Sequence, residues 1–308
     1  MHRTLELAVP TPTACAAVDA IRAIDGVIGL THHPGASVTP PGDVLTVHAL
    51  NRSVDDVLRA AERTCGADAI SVVTAEVASM TDARHQRQID RDVDEAIWEE
   101  LETGLRHQGR ITSNYLALMA LGGAIGAIGA VAEPSVAPIA YVASAVVAPG
   151  FEPVAKLPLG MALRRWKVFE AGLLSTVVGY AVLIAAAALT WLALALVGGM
   201  SASSFLESDA LKHTLEPSAE IVATAIAGAF AGAVILASYR RSVIAGALVA
   251  MRLIEAASVT GIALALGRLD LATRALERVG MDMGFVVLAG LIVFCLKQFF
   301  VHRRRSLR

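Results

Sequence analysis

Long apolar stretches fill the last two-thirds of this 308-residue chain, and short charged segments separate them. Each stretch provides about the 20 apolar residues that a helix needs to cross a bilayer. Only 18% of all residues are charged and the mean hydropathy is +0.60, whereas soluble domains carry about a quarter of their residues as charges. These features exclude an ordinary soluble enzyme and predict a polytopic all-α membrane domain over residues 114–302. Six spans can be drawn, at residues 115–132, 135–163, 171–199, 221–238, 242–267 and 283–301.

Residues 1–80 have a different pattern, because short segments of strand and helix character alternate there in the order βαββαβ. The strands are predicted at residues 4–9, 27–33, 43–50 and 70–78, and the helices at residues 13–24 and 53–64. This order is typical of the ferredoxin-like split fold, so we expect a small α+β ferredoxin-like domain. Proline and glycine at residues 34–35 and 40–42 predict a mobile loop between the second and third strands. Such a fold identifies no ligand by itself.

His32, His33 and His48 raise the question of a metal site in this domain. Adjacent histidines on a strand point to opposite faces, so a shared ion would require the loop to reorganise. We therefore interpret them as ordinary surface or strand-end histidines. The three cysteines have no metal-ligand spacing and are interpreted as reduced packing residues. No metal and no cofactor is expected.

The segment 81–113 between the head and the spans is the most charged part of the chain. Apolar residues recur there at every fourth position, which predicts one amphipathic connector helix with a single apolar stripe. The stripe comprises Ile89, Val93, Ile97, Leu101 and Leu105. It either covers the head or forms a self-association seam between subunits that transmits movements of the head; the spacing is not a true heptad. With the small-residue faces of the spans, the stripe makes a homo-oligomer the expected state.

Basic residues cluster on one side of the predicted spans. They are Arg164, Arg165, Lys167, Arg240, Arg241 and a basic tail at residues 303–308. The opposite side receives the acidic segment 201–220, while the connector 268–282 is neutral. Positive residues mark the cytoplasmic side, so both termini are predicted in the cytoplasm, in agreement with an N-terminus that lacks a signal-peptide-like apolar run. We expect a multi-pass protein of the cell (plasma or inner) membrane.

The charge balance argues against nucleic acid as a partner. Residues 1–115 contain 10 Arg and 17 acidic residues, and residues 116–308 contain 16 basic and 11 acidic residues. The head is therefore acidic, whereas a nucleic-acid-binding domain carries a basic surface. The basic tail lies where anionic lipids of the bilayer would attract it. The lipid bilayer is thus the expected partner of the tail.

The two halves of the membrane region resemble each other. Residues 124–131 match residues 227–234 at four of eight positions, and residues 143–148 match residues 245–250 at four of six. The offsets are nearly equal, at 103 and 102 residues, which indicates a repeat of three spans. An odd number of spans inverts the second unit, so we predict a 3+3 inverted repeat with interrupted second and fifth helices. Such repeats are typical of transporters, whose substrate site lies between the interrupted pair.

A resemblance to a known family is carried by residues 111–153, which read ITSNYLALMALGGAIGAIGAVAEPSVAPIAYVASAVVAPGFEP. This segment resembles a bacterial and archaeal membrane-protein family, the domain of unknown function 389, also called the uncharacterised hydrophobic-domain family. The shared features are a polar start, a first span rich in small residues, and a second span ending in Ala-Pro, here Pro149, with Pro153 following. The resemblance implies the membrane architecture, often with a ferredoxin-like head, and no established activity. This chain departs from the family pattern at two places. Glu152 stands where the resemblance implies a small residue between the two prolines, and Glu255 with Ala256 stands where it implies a Pro-Pro pair in the fifth span.

Two acids occupy related positions in the predicted repeat, because at an offset of 103 residues Glu152 corresponds to Glu255. Glu255 lies near the middle of the fifth predicted span, where a charge must be paired, protonated or hydrated. Arg252 precedes it by three residues and can pair with it, and Lys156 follows Glu152 by four residues and can pair likewise. We predict that these residues form a solute or ion pathway. Alternatively, both pairs are neutral pins between helices, or Glu152 and Lys156 lie at the cytoplasmic rim.

Pro149 and Pro153 complete the predicted pathway, because they would free backbone carbonyls towards its centre, which is allowed only against protein or water. Glycines four residues apart have a simpler interpretation, since small residues at this spacing let helices pack closely. These helix-packing pairs are Gly122 with Gly126 and Gly228 with Gly232.

The favoured function is a transporter or channel for a small solute or ion, regulated by the cytoplasmic head. The alternative is a membrane-anchored ligand sensor or scaffold, in which the membrane domain mainly assembles. An enzyme is not expected, because the sequence has no phosphate-binding loop, zinc-protease motif or nucleophile elbow. Intramembrane proteolysis would need paired aspartates, and those of the membrane region lie in predicted connectors. They are Asp209, Asp270 and Asp282.

Overall fold

The chain forms two compact units, which consist mainly of residues 1–98 and 99–298. The computed structural model describes residues 2–77, 79–92, 96–133, 135–198, 201–238 and 243–300, with the backbone alone at residues 99, 108 and 243–249. The chain is mostly helical, at 70%. The small sheet of the first unit and the long helices of the second follow the predicted change of pattern along the chain.

A four-stranded antiparallel sheet with the spatial order β2-β3-β1-β4 organises the first unit. The elements are β1 (Arg3–Val9), α1 (Thr11–Arg22), β2 (Val27–Val38), β3 (Pro41–Ala49), α2 (Val54–Cys65) and β4 (Ser71–Glu76). Strands and helices thus alternate in the predicted order. Every second residue of β1 is buried, because successive side chains of a strand point to opposite faces. Leu5 and Leu7 of β1 join Ala17 and Ile21 of α1 in the core.

The hairpin of β2 and β3 is longer than predicted. β2 continues through Pro34 and Gly35 to Val38, so part of the segment expected to be a mobile loop is paired with β3, at Ser37 with Gly42 and Val38 with Pro41. The pairing register shifts between His33 and Ser37. This bulge takes Pro34, which has no N–H to donate, out of the ladder. Gly35 has a φ of 63°, a left-handed conformation that glycine adopts most readily.

The connector is not the single long helix that its apolar stripe predicted. Two helices form instead, α3 (Gln86–Ile89) and α4 (Trp98–Gln108). The described residues between them are not helical, and Val93 of the stripe lies outside the described residues. Ile97 is fully buried in the core of the first unit, and the Asp92 carboxylate accepts the N–H of Asn51 at 2.8 Å. These contacts with the head replace the helical hydrogen bonds, which is why the helix is interrupted.

Long helices make up the second unit. They are α5 (Ser113–Val131), α6 (Ala137–Val147), α7 (Phe151–Ala162), α8 (Trp166–Leu196), α11 (Ala219–Ala237), α12 (Val243–Ala265) and α13 (Leu269–Phe300), with the short α9 (Ala202–Leu206) and α10 (Asp209–Leu215) after α8. Among the described residues, α5, α8, α11 and α13 are long and apolar enough to cross a membrane. The pair α6 and α7, bent by 55° at a short break, adds a fifth span if it counts as one. The helices are compatible with a membrane protein. Arg240, Arg241 and the tail at residues 303–308, on which part of the predicted orientation depends, lie outside the described residues.

Helices in the two halves have similar lengths. α5 and α11 have 19 residues each, and α8 and α13 have 31 and 32. The second predicted span is interrupted between Val147 and Phe151, with Pro149 in the break. The fifth is not: α12 is one continuous helix of 23 residues, so the predicted interruption there is wrong. α12 contains no proline, and every backbone N–H in its interior can therefore donate to the helix.

The segment 268–282 is part of a helix and not a connector. α13 begins at Leu269 and continues for 32 residues, so Asp270 and Asp282 both lie inside it. The helix continues through its polar first turns because the charged side chains Arg274 and Glu277 are exposed, while Asp282 is on the buried face. The prediction that all aspartates of the predicted membrane region lie in connectors is therefore wrong for Asp270 and Asp282, and Asp282 is only 4% exposed.

Candidate functional site

An ion pair on α12 is the first element of the candidate site. Arg252 Nη1 donates to Glu255 Oε2 at 2.9 Å, as the spacing of three residues predicted. Glu255 is 7% exposed, and the side chain of Arg252 is partly buried. The two charges are therefore shielded from the surroundings and interact more strongly than they would in water.

A second ion pair, which the sequence interpretation missed, lies on α13. Arg278 Nε donates to Asp282 Oδ2 at 2.9 Å, and both side chains are 5% exposed. It was missed because residues 268–282 are polar enough to suggest a connector. The signal that could have found it is the spacing of three and four residues, which places Leu271, Ala275, Arg278 and Asp282 on one helix face.

The two ion pairs form a central charge network of Arg252, Glu255, Arg278 and Asp282. The charge of Arg278 acts on Glu255, and the charge of Arg252 acts on Asp282. Tyr141 of α6 lies within electrostatic reach of both Arg252 and Glu255. The network thus joins side chains from α12 and α13 and borders on α6, so it lies inside the helical unit.

Several polar atoms in and near this network have no hydrogen-bond partner within the described part of the chain. They are Arg252 Nε, Arg278 Nη1, Asp282 Oδ1 and the hydroxyl groups of Tyr141 and Ser258. Leaving a buried polar atom unpaired costs free energy, so most such atoms in proteins are hydrogen-bonded. The hydrogen-bonding capacity of these atoms is therefore not used within the described residues.

A cavity of about 320 Å³ lies beside the network. Its lining residues are Thr224, Ala225, Ala227, Gly228 and Ala231 of α11, Met251, Arg252 and Leu253 of α12, and Asp282 of α13. The small side chains of α11 leave the space open, and Arg252 and Asp282 supply one charge of each sign. Ligand sites commonly combine a concave space with a few convergent polar groups.

Lys156 does not pair with Glu152, contrary to the prediction. Its Nζ donates to the carbonyl of Gly109 at 2.6 Å, and the residue is 3% exposed. Gly109 follows the last turn of α4, where backbone carbonyls have no partner within the helix. The ammonium group satisfies one of them. Lys156 thus connects α7 to the end of α4 and takes no part in the central charge network.

Glu152 and Glu255 have different charged neighbours, and Tyr180 of α8 lies within electrostatic reach of both Glu152 and Asp282. Glu152, partly buried in the first turn of α7, acts electrostatically on Lys156, Tyr115 and Tyr180. Glu255 interacts instead with the charged groups of α12 and α13. Asp282 is thus an acid that shares the charges of Arg252 and Arg278 with Glu255.

The two predicted prolines lie at and just after the break of the second span. Pro149 lies between α6 and α7, and Pro153 is buried in the first turn of α7. In the same break, the carbonyl of Gly150 accepts a hydrogen bond from the hydroxyl of Tyr180 on α8 at 3.1 Å. The protein itself therefore satisfies this carbonyl at the break.

Gly122 and Gly126 bring α5 close to its neighbours. A methyl group on Gly122 would collide with the side chain at the end of α6, and one on Gly126 would collide with Ser258 of α12. Such close approach supports a packing role for this pair. Gly232 is buried, whereas Gly228 lines the cavity beside the central charge network.

A separate polar cluster lies in the first unit around Asp43, which is 2% exposed. Its carboxylate accepts hydrogen bonds from the Thr11 hydroxyl at 2.6 Å, the Gly35 N–H at 3.0 Å and His32 Nε2 at 2.7 Å. These hydrogen bonds, with that from Thr11 the strongest, lower the pKa of Asp43 to about 2. The cluster fixes the bulge of β2. Among the described residues, no group of three or more His, Cys, Asp or Glu could hold a metal ion.

Comparison with known proteins gives one match. No curated protein and no solved structure matches the chain. The family model described as Domain of unknown function (DUF389) matches residues 145–288, a range that includes the cavity and both ion pairs of the central charge network. The resemblance noted in the sequence is thereby confirmed, and residues 145–288 of this chain are similar to the domain of unknown function 389 family.

Proposed function

We propose that this protein is an integral membrane protein that carries a small solute or ion across the bilayer through the central charge network. The observation that supports this most is the arrangement of two buried ion pairs, Arg252–Glu255 and Arg278–Asp282, beside a cavity of about 320 Å³. Ionisable side chains inside a membrane are costly and usually mark a solute pathway, a proton relay or a ligand site.

The unpaired polar atoms favour this function over a purely structural role. Two ion pairs that only pinned helices together would be most stable with all their hydrogen bonds made, because a partly satisfied buried network is less stable than an apolar one. Here Arg252 Nε, Arg278 Nη1 and Asp282 Oδ1 have no partner within the described residues. We interpret them as the groups that a passing solute contacts.

The proposed architecture has six spans in a 3+3 inverted repeat. The protein is proposed to lie in the plasma or inner membrane, with both termini in the cytoplasm. Three pairs of helical segments of similar length support the repeat: α5 with α11, α6 and α7 with α12, and α8 with α13. An interrupted helix within such a repeat is common in transporters. Only the first half has the interruption, so the proposed pathway is asymmetric and lies nearer to α12.

The first unit is proposed to be a ferredoxin-like regulatory domain. Its strand order β2-β3-β1-β4 and its antiparallel pairing support this assignment. Assembly as a homo-oligomer is also part of the proposal, because many small side chains of α11 are exposed, Ala227 and Ala231 among them.

Flux through reconstituted protein tests the proposal. Full-length protein in liposomes is exposed to inward gradients of glycine, urea or potassium chloride, and swelling is followed by light scattering. We expect at least one solute to enter faster than in protein-free liposomes, and Glu255→Gln to reduce that rate at least tenfold. The matched control is Asp270→Asn, which removes an acid of the exposed Arg268–Asp270 ion pair on the same unit and should leave the rate unchanged.

Two results would contradict the proposal. Swelling no faster than in protein-free liposomes for every solute would favour the alternative, a membrane-anchored sensor or scaffold. Equal rates for wild type and Glu255→Gln, with equal amounts of protein in the liposomes, would remove the central charge network from the pathway.

A further inference from the structure

The charges of the central charge network cancel. Arg252 and Arg278 each bind an acid of their own helix at 2.9 Å, so two guanidinium groups balance two carboxylates. His213 of α10 also acts on Glu255, but it is an exposed residue. A solute with a net charge would bring an additional charge into this buried site, and burial of an uncompensated charge is strongly unfavourable.

The free hydrogen-bonding atoms of the network are of both kinds. Arg252 Nε and Arg278 Nη1 are donors on guanidinium groups, and Asp282 Oδ1 is an acceptor on a carboxylate; within the described residues none of them has a partner. Hydrogen bonds to ionised groups are about twice as strong as those between neutral groups. A ligand with a carboxylate and an ammonium group satisfies the free donors and the free acceptor together without changing the net charge.

The cavity indicates the size of a ligand that it can hold. Its volume of about 320 Å³ corresponds to on the order of ten water molecules at about 30 Å³ each. Ala225, Ala227 and Ala231 form much of one wall and offer only methyl groups. The site therefore suits a molecule of a few heavy atoms with a small apolar part.

We propose that the solute is a small zwitterion, a molecule that carries one carboxylate and one ammonium group, and that it binds between Arg252 and Asp282. The carboxylate accepts from the guanidinium group of Arg252, and the ammonium group donates to the carboxylate of Asp282, because these two charged residues line the cavity. This inference rests on the transport function proposed above and narrows it, because it excludes inorganic ions as the main solute.

A panel of solutes in the liposome swelling assay tests the zwitterion directly. The probes are glycine, which has both groups; sodium acetate and methylammonium chloride, which have one each; urea, which has neither charge; and potassium chloride. We expect glycine to enter at least ten times faster than any of the others. We also expect glycine to raise the melting temperature of the full-length protein in detergent, and Asp282→Asn to abolish both effects while Asp270→Asn preserves them.

The outcomes separate this inference from the function on which it rests. If potassium chloride, acetate, methylammonium or urea enters as fast as glycine, the proposal of a zwitterionic solute is wrong and the proposed transport function still holds. Swelling no faster than in protein-free liposomes for all five solutes would overturn both. Because the comparison of solutes uses the wild-type protein, the result does not depend on the folding of any variant.

Discussion

Lys156 of α7 donates a hydrogen bond to the carbonyl of Gly109, with 2.6 Å between Nζ and the oxygen. A second contact lies nearby along the same helix α4, where the buried Glu102 accepts hydrogen bonds from Arg165 Nη1 at 2.7 and 2.8 Å. Arg165 directly precedes α8. Two polar contacts thus connect α4 and the residue that follows it with the middle of α7 and with the residue before α8, so a displacement of α4 would act on the interrupted second span.

Replacement of Lys156 by methionine should therefore destabilise the protein. The variant keeps much of the apolar side chain but leaves the Gly109 carbonyl without this partner, and a buried unsatisfied polar group costs about 1–3 kcal/mol. We expect a lower melting temperature in detergent. Lys212→Met is the control, because Lys212 is exposed and lies 3.9 Å from Asp209, and surface ion pairs contribute little. Equal melting temperatures for Lys156→Met and wild type would show that this hydrogen bond is not structural.

Variants of the Arg278–Asp282 pair separate the effect of the pair on stability from its effect on solute entry. Arg278→Leu alone leaves Asp282 buried and unpaired, which should destabilise the protein by about 3–5 kcal/mol, whereas the double variant Arg278→Leu with Asp282→Leu should retain most of its stability. We expect the double variant to fold and to insert into liposomes without solute entry. Melting curves measure the first effect and swelling the second. If solute enters as fast with the double variant as with the wild type, the Arg278–Asp282 pair contributes to packing and not to the pathway.

A methyl group should be tolerated very differently at two glycines of the second unit. At Gly123 an added Cβ would collide with the backbone carbonyl of Leu183 on α8, which cannot move aside as a side chain can, whereas at Gly280 nothing lies within 4 Å of it. Gly123→Ala should separate α5 from α8 and lower the melting temperature, with a cost of about 1–3 kcal/mol for overpacking. Gly280→Ala should leave it unchanged. The opposite order of the two melting temperatures would contradict the packing of α5 on α8.

The Asp43 cluster should make the first unit sensitive to acid. Hydrogen bonds, foremost from Thr11, lower the pKa of Asp43 from 3.8 to about 2 in the folded protein. The stabilisation is therefore fully present above the unfolded pKa and is lost as the pH falls through the folded pKa. Hydrogen exchange of the β2–β3 amides between pH 5 and pH 2 measures this loss. Asp43→Asn should weaken protection at pH 5 and flatten its pH dependence, while the control Asp19→Asn on the exposed face of α1 should behave as wild type.

Much of the local structure could be predicted from the sequence because it depends on neighbours along the chain. The alternation of strands and helices in the first unit, the long apolar helices and the break at Pro149 all follow from periodicity or from a missing N–H. The Arg252–Glu255 ion pair belongs to the same class, because residues three apart meet on any helix. None of these features needs a distant partner.

Predictions that needed a distant partner were incomplete or wrong. The apolar stripe of the connector indicated one helix, but Ile97 is buried in the core of the head. A spacing of four residues indicated a Glu152–Lys156 pair, but Lys156 reaches a carbonyl 47 residues away in the sequence. In each case a tertiary contact competes with the local pattern and is stronger, because it buries an apolar side chain or satisfies an otherwise unpaired polar group.

The sequence by itself determined that most of this chain forms apolar helices, where the second span is interrupted, and that Arg252 pairs with Glu255. Only the tertiary structure decided that Asp282 shares the charges of Arg252 and Arg278 with Glu255, and that a cavity opens beside them. Hydrophobic periodicity specifies which face of a helix is buried, whereas the identity of the helix that faces it depends on how all the helices pack together.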